Sequence, residues 1–338
     1  MKKNIILAYL SITLLSYTSC SKNDEVERLT TEPTMVKTEL MTSMPGELLV
    51  VEDRLVWFDL NADSFLHVEN ATTGENILET GMLGGGPEDF TAPFISWYPN
   101  KRVLISDCFA ERAMVLFLEK TGKMSHLDIP FSKKTLQCVG ENQYIQSNID
   151  GSHPFIYWNN NTKNTFGKYP LENEEISNAN EVFQGIHSYN PYNGYLIQSF
   201  PELSHIALYQ FIEGKFKEVW TKELPGLEYQ INRDRILRIN EVRNPAPSAI
   251  ALTKDYIVTI DRDKQTKETV AESHSNNRFL RNFSKSPQTL FVYDYNFQLK
   301  RIIHTHIPMF RLAARGDDNV VYFMGVKDEF CIAKCRLD

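Results

Sequence analysis

Beyond its first twenty residues the chain has no apolar run approaching the roughly 20 residues that a membrane-spanning helix needs. Cysteine is scarce, five in 338 residues, with no C-x-x-C and no histidine pair at metal-finger spacing, so neither a disulfide-stapled scaffold nor a zinc module is in view. Glycine (16) and proline (15) sit near average, which removes collagen-like and linker-like readings. Positive charge is in deficit: 36 Lys plus Arg against 43 Asp plus Glu give a net charge of -7, which argues against a protein that neutralises duplex phosphates. No nucleic-acid partner is expected. Also missing are G-x-S-x-G, H-E-x-x-H and P-loop signatures, so no motif points to a nucleophile or a cofactor, and none is expected. What remains is 42% hydrophobic and 12% aromatic, ample for a core.

Residues 1 to 20 carry Lys2 and Lys3, an apolar stretch from Ile5 to Leu15, then Tyr17-Thr18-Ser19-Cys20. This is the order of regions in a secretory signal, too short and wrongly flanked for a permanent span. The ending resembles a bacterial lipobox, with Tyr17 where leucine is usual, which implies cleavage after residue 19 and a lipid on Cys20. Residues 1–19 are then a signal peptide, and residues 20–32, polar and lacking aromatics, read as a solvated tether. Losing two lysines leaves a mature chain of net charge -9. The acidic tether resembles the surface-export signal of Bacteroidetes lipoproteins, which implies an outer-membrane lipoprotein on the cell-surface or periplasmic side, with the membrane as its partner through the lipid. Of the other cysteines, Cys108, Cys138, Cys331 and Cys335, the last two lie four apart in an apparent strand, about 13 Å and beyond bridging distance. Buried free thiols are expected.

From residue 33 to 338 short apolar strands and turns recur in place of helical periodicity. Trp57, Ile105, Ile145, Ile197, Val258 and Tyr322 fall at matching places in successive strand patterns, with gaps of 48, 40, 52, 61 and 64 residues. A propeller blade takes about 40 to 50 residues. The spacing predicts an all-β fold, a six-bladed β-propeller of four-stranded antiparallel blades with late insertions. The last blade lacks an obvious fourth strand, and the segment from Thr34 to Leu40 is expected to supply it and close the ring. The run Gly81-Met82-Leu83-Gly84-Gly85-Gly86-Pro87-Glu88-Asp89-Phe90, followed by Pro93 and Leu104-Ile105-Ser106-Asp107, resembles a signature of TolB-like, six-bladed propeller lipoproteins of Bacteroidetes, relatives of the NHL-repeat propellers. Gly84, Gly85 and Gly86 are expected to take positive φ at a blade-to-blade crossover.

In such a fold the loops between second and third strands share a face with the crossovers. That face would carry His153, His205, Asp107, Asp150, Asp261, Asp263 and Asn148, with two long insertions: one holds Arg233, Arg235, Arg238 and Arg243, the other Arg278 and Arg281, with Arg262 just before it. Between Arg233 and Lys285, 11 basic residues face 7 acidic ones, a basic rim on an acidic body that suits an anionic ligand. The leading expectation is a non-enzymatic envelope lipoprotein that binds a ligand or partner, such as a glycan, peptide or envelope protein, through these arginines and the two histidines. The alternative is an exported hydrolase or lyase using rim carboxylates and histidines, with calcium held by the acids. Bland readings stand beside both: solvated ion pairs, and surface histidines in turns. Replacing Cys20 by Ser should release the chain from the membrane fraction, since a single acyl chain contributes much of such anchoring; persistence of all the protein in salt-washed membranes would show that something else holds it.

Overall fold

The computed structural model describes residues 26–338 apart from 43, 108, 120–121, 130–134, 148–152, 161, 171–184, 201–204, 225–228, 233–234, 239–246 and 261–282. Two short strands come first, β1 (Glu27–Thr30) and β2 (Thr34–Lys37). Blade one is β3 (Pro45–Val51), β4 (Arg54–Asp59), β5 (Leu66–Asn70) and β6 (Asn76–Thr80); blade two is β7 (Pro93–Tyr98), β8 (Arg102–Asp107), β9 (Arg112–Phe117) and β10 (Met124–His126). Blade three is β11 (Leu136–Gly140), β12 (Gln143–Ser147), β13 (Phe155–Asn159) and β14 (Thr162–Phe166); blade four is β15 (Ile186–Tyr189), β16 (Tyr195–Phe200), β17 (His205–Ile212) and β18 (Lys215–Glu223). A hairpin, β19 (Tyr229–Asn232) and β20 (Arg235–Arg238), precedes blade five, which is β21 (Ala249–Leu252), β22 (Tyr256–Ile260), β23 (Thr289–Asp294) and β24 (Leu299–His304). Blade six is β25 (Met309–Ala314), β26 (Val320–Val326) and β27 (Phe330–Arg336), completed by β2 on its outer edge. The fold is a six-bladed propeller. Each residue of the matched set, Trp57 through Tyr322, lies in the second strand of its blade, β4, β8, β12, β16, β22 and β26.

Why the strands read as unbroken apolar runs is clear from where their two faces go. Among the described residues six apolar cores form, each shared by two neighbouring blades. Successive residues of a second strand point to opposite cores: Leu104 enters the core shared with blade three, Ile105 the one shared with blade one. Tyr144 and Ile145 divide in the same way, as do Leu196 and Ile197. Both faces of the sheet are buried, so the polar alternation of a one-sided sheet is absent. Cys138, Cys331 and Cys335 are buried and free, as expected, and burial pushes the Cys331 thiol up to about 11. Cys108 lies outside the described residues.

Ring closure matches the expectation, with two additions. Strand β2 pairs antiparallel with β27, and Leu40 N–H then donates to Phe330 O at 2.7 Å. Lys37 also reaches across to blade one, where its Nζ meets Glu69 Oε1 at 2.5 Å. The second addition corrects the tether. Residues 27–30 form β1, which lies parallel to β24 as a fifth strand of blade five and covers its outer edge. Arg301 on β24 supplies the charge that holds it, with Nε donating to Glu27 Oε2 at 2.6 Å.

The glycine-rich run is a crossover between blades one and two, but its geometry differs from expectation. Gly81 has the positive φ, 77°, whereas Gly84, Gly85 and Gly86 do not. Gly84 and Gly86 are needed for room: a Cβ on either would stand 2.5 and 2.7 Å from Asp89 Oδ2, which accepts the Gly86 N–H. Arg112 of blade two clamps the run through the Pro87 and Asp89 carbonyls and lies over the Phe90 ring.

The Glu69 side chain is only 2% exposed and Lys37 is its one ion-pair partner among the described residues. Lys37→Met should therefore cost about 3 kcal/mol by stranding a buried carboxylate, a fall of roughly 4–6 °C in Tm for a domain this large. Adding Glu69→Gln should restore part of the loss; no change in the single variant would show that the closing strand is not held there.

Candidate functional site

The innermost strands β3, β7, β11, β15, β21 and β25 each begin at the crossover face and run towards the opposite one, so their first residues ring the channel mouth. Glu47 is third in β3, Phe94 second in β7, His187 second in β15 and Arg311 third in β25. All four line a channel cavity of about 380 Å³. At the mouth a second cavity of about 420 Å³ shares Glu47, Phe94 and His187 and adds Phe155, Tyr169, Ser147 and Gln198, the last two from the ends of β12 and β16. Both volumes are in the range of small-molecule sites.

The charges here are unbalanced. Arg311 Nε donates to Gly46 O at 3.1 Å and Nη1 to Phe310 O at 3.0 Å, while no carboxylate of the described residues lies within 4.0 Å of it. Burial pulls its pKa down and the Glu47 charge pulls it back, yet a guanidinium stays cationic. Burial pushes Glu47 up to about 7, against the opposing pull of Arg311 and an Ile95 N–H. Burial holds His187 at about 4, so its imidazole is neutral, flanked by the Phe94 ring at 6.2 Å and the Phe155 ring at 5.7 Å. Gln198 is 5% exposed and its Oε1 finds no donor. Arg311, a fixed cation, and Glu47, a carboxyl near half-protonation at neutral pH, face the channel cavity, and Gln198 with its unsatisfied amide oxygen faces the adjoining mouth cavity; perturbed and unsatisfied polar groups of this kind mark a candidate binding site.

The residues expected from sequence distribute differently. His153 engages the Gly167 carbonyl at 2.8 Å through Nδ1. His205, expected in a surface loop, is instead the first residue of β17 and 4% exposed; burial lowers its pKa, and neither ring nitrogen has a hydrogen-bond partner among the described residues. Arg235 and Arg238 lie on β20, paired in register with Asn232 and Tyr229. Arg233, Arg243, Arg262, Arg278 and Arg281 lie outside the described residues, as do Asn148, Asp150, Asp261 and Asp263. By connectivity, the hairpin joins blade four to blade five, between β18 and β21.

Asp107 is corrected as a candidate calcium ligand. Burial would raise its pKa, but N–H donors from Ala110, Thr91, Ala92 and Phe109 hold it below the ordinary carboxylate value and occupy both oxygens. Among the described residues no cluster of three or more His, Cys, Asp or Glu is placed for a metal. Sequence reasoning missed Glu47, His187 and Arg311. Their signal was a lone polar residue early in the first strand of an otherwise apolar meander, as in Gly46-Glu47-Leu48-Leu49 and Phe310-Arg311-Leu312.

No family model matches the chain, and no curated protein sequence does. Solved structures do. A member of the DUF4221 family from Bacteroides vulgatus is 10% identical, with 90% of this chain covering 94% of that one at a TM-score of 0.53. The calcium-binding protein regucalcin from Agrobacterium tumefaciens is 7% identical, with coverage of 91% and 95% and a TM-score of 0.49. The β-propeller domain of Cps50 (Swd1) from Myceliophteria thermophila is 8% identical, with coverage of 89% and 99% and a TM-score of 0.44. At these identities the likeness shows the fold alone.

Glu47 yields a pH prediction. Its folded pKa of about 7 exceeds the ordinary 4.5, so the folded protein keeps a proton that the unfolded chain releases. Stability then falls as pH rises from 4.5 to 7. Glu47→Gln removes this dependence: it should match the parent near pH 4.5 and exceed it by about 3 kcal/mol at about pH 8. Denaturant melts at both pH values read this directly, and a difference that does not change with pH contradicts the assignment.

Proposed function

We propose that this protein is an exported, lipid-anchored propeller that binds a small anionic ligand at the crossover-face mouth of its channel, without catalysis. The observation that carries this is Arg311, a half-buried cation hydrogen-bonded to backbone carbonyls at the wall of a ligand-sized cavity, whose charged neighbour Glu47 is only partly ionised at neutral pH. A cation so incompletely balanced is costly to hold out of water; a site for an anion accounts for it. The basic insertions around Arg233, Arg235, Arg238, Arg243, Arg262, Arg278 and Arg281 fit the same role as a steering field on an otherwise acidic body.

Export and anchoring rest on the signal-like first twenty residues and on Cys20, and the TolB-like lipoprotein kinship suggested by residues 81–107 belongs to the same reading. Strand β1 refines it: only six residues separate Cys20 from Glu27, so the covalent reach from the lipid to blade five is at most about 25 Å. The hydrolase or lyase alternative draws on one observation, the titration of Glu47 near neutrality beside a neutral His187. The rim histidines it relied on do not join that pair, since neither His153 nor His205 lines either cavity.

A thermal-shift screen of small organic and inorganic anions tests the binding reading. Compounds that raise Tm in the parent should lose the effect in Arg311→Gln, and Arg238→Ala with Arg281→Ala should weaken it with a reduced dependence on salt. Anions that stabilise parent and Arg311→Gln equally would place the site elsewhere.

A further inference from the structure

We infer that the channel mouth captures a small organic carboxylate together with one proton, the ligand carboxylate lying between the Arg311 guanidinium and a protonated Glu47. This rests on the binding reading above and names its ligand class. The geometry begins with neighbouring inner strands: Arg311 Nε is tied to the carbonyl of Gly46, the residue before Glu47, so an anion drawn to the guanidinium is brought beside the Glu47 carboxyl. A guanidinium fork matches a planar carboxylate bidentately. Two carboxylates sharing one site cannot both remain ionised, so one takes a proton.

Charge balance selects the ligand's charge. Arg315 at the same wall is paired with Asp317 and Asp318, so the Arg311 cation and one proton offset Glu47 and a single ligand charge; a doubly charged phosphate or sulfate would keep an unmatched charge. The walls select its body. Beside Arg311 and Glu47 the channel cavity is lined by Phe94, Trp97, Ile186 and Leu312, an apolar surface that inorganic anions cannot use.

The groups that face Glu47 can be named element by element. Strand β25 presents Arg311 and, just past its end, Arg315, which is paired with Asp317 and Asp318; β15 presents His187, neutral above pH 4, and Tyr189, whose phenol burial keeps neutral. From β7 comes only the Ile95 N–H, while β11 contributes Gln137 and the β21 side Ser248 and Ala249, none of which titrates. On β4 the buried carboxylate is Asp59, opposite Pro45 and engaged by the Asn61 N–H. Glu47 is thus the group in this ring that changes charge near neutrality.

The test is calorimetry of the full mature chain with benzoate, mandelate and lactate. Runs at about pH 7.5 in two non-carboxylate buffers of different ionisation enthalpy should show uptake of about 0.7 proton for the tightest of the three. Its Kd should be nearly flat from about pH 5.5 to 6.5 and rise roughly tenfold from about pH 7.5 to 8.5. Glu47→Gln should abolish that dependence, Arg311→Gln should weaken binding at least about thirtyfold, and the matching neutral amide should bind at least about tenfold more weakly than the acid. Binding without proton uptake, a pH profile retained in Glu47→Gln, an equally tight amide, or no binding by any of the three overturns the inference. If the three acids fail while other anions still lose their effect in Arg311→Gln, the channel site stands and the ligand class is wrong. Anions indifferent to Arg311→Gln remove the site as well. The proton count uses the unaltered protein, so poor folding of a variant does not blunt the test.

Discussion

Every blade of this protein has two apolar faces, and the rest of the structure follows from the need to bury both. A single twisted sheet of this kind cannot stand in water; a row of them still leaves one naked face at each end. Joining the ends removes the problem. The join between blades six and one is therefore where the fold is most exposed to failure, and the chain spends its N-terminal strand there. Val36 and Leu40 enter the core between these two blades, and Lys37 neutralises Glu69, a carboxylate of blade one that has lost its water.

Closing six blades also creates the channel. The innermost strands pair on one side only, so around the axis the packing demand that makes the blades apolar is relaxed. Side chains there can be polar without disrupting a core, yet protein surrounds them, which raises the electrostatic stakes of each. Glu47 and His187 show the result: burial shifts both towards their neutral forms, while Arg311 cannot follow because a guanidinium does not give up its proton at accessible pH. The asymmetry between groups that can neutralise and one that cannot is what supports the proposed preference for an anion.

The repeat was legible in the sequence because burial on both faces leaves doublets such as Leu104-Ile105 at blade spacing, and the same constraint made the missing last strand recoverable from the N-terminus. The channel site was less legible. Whether Glu47 faces a neighbouring blade or the axis depends on which edge of its strand is unpaired, and that is a property of the assembled ring. Attention to loops favoured His205, whose neighbours bury it, and Asp107, whose oxygens are consumed by four backbone donors. Both are polar residues at strand ends, the same local pattern a ligand site presents; only the direction of the donors separates them. The glycines illustrate the reverse case, a correct crossover reached through the wrong backbone argument, since crowding by Asp89 rather than positive φ is what Gly84 and Gly86 answer.

Stability and function are thereby held in different parts of the ring. The apolar cores lie between blades, and the polar ring lies at the axis, joined to them through the inner strands. Arg311 marks the boundary: its neighbour Phe310 packs in the core between blades six and one, while its guanidinium lines the channel. Core residues on either side fix the backbone of β25 and β3, and that backbone supplies the Gly46 and Phe310 carbonyls which aim the cation. A site held by main-chain carbonyls is rigid without needing a partner carboxylate, which would have cancelled the charge. The same closure that removes the open faces of the sheets thus also supplies an aimed cation in the channel, beside a carboxyl that burial partly neutralises.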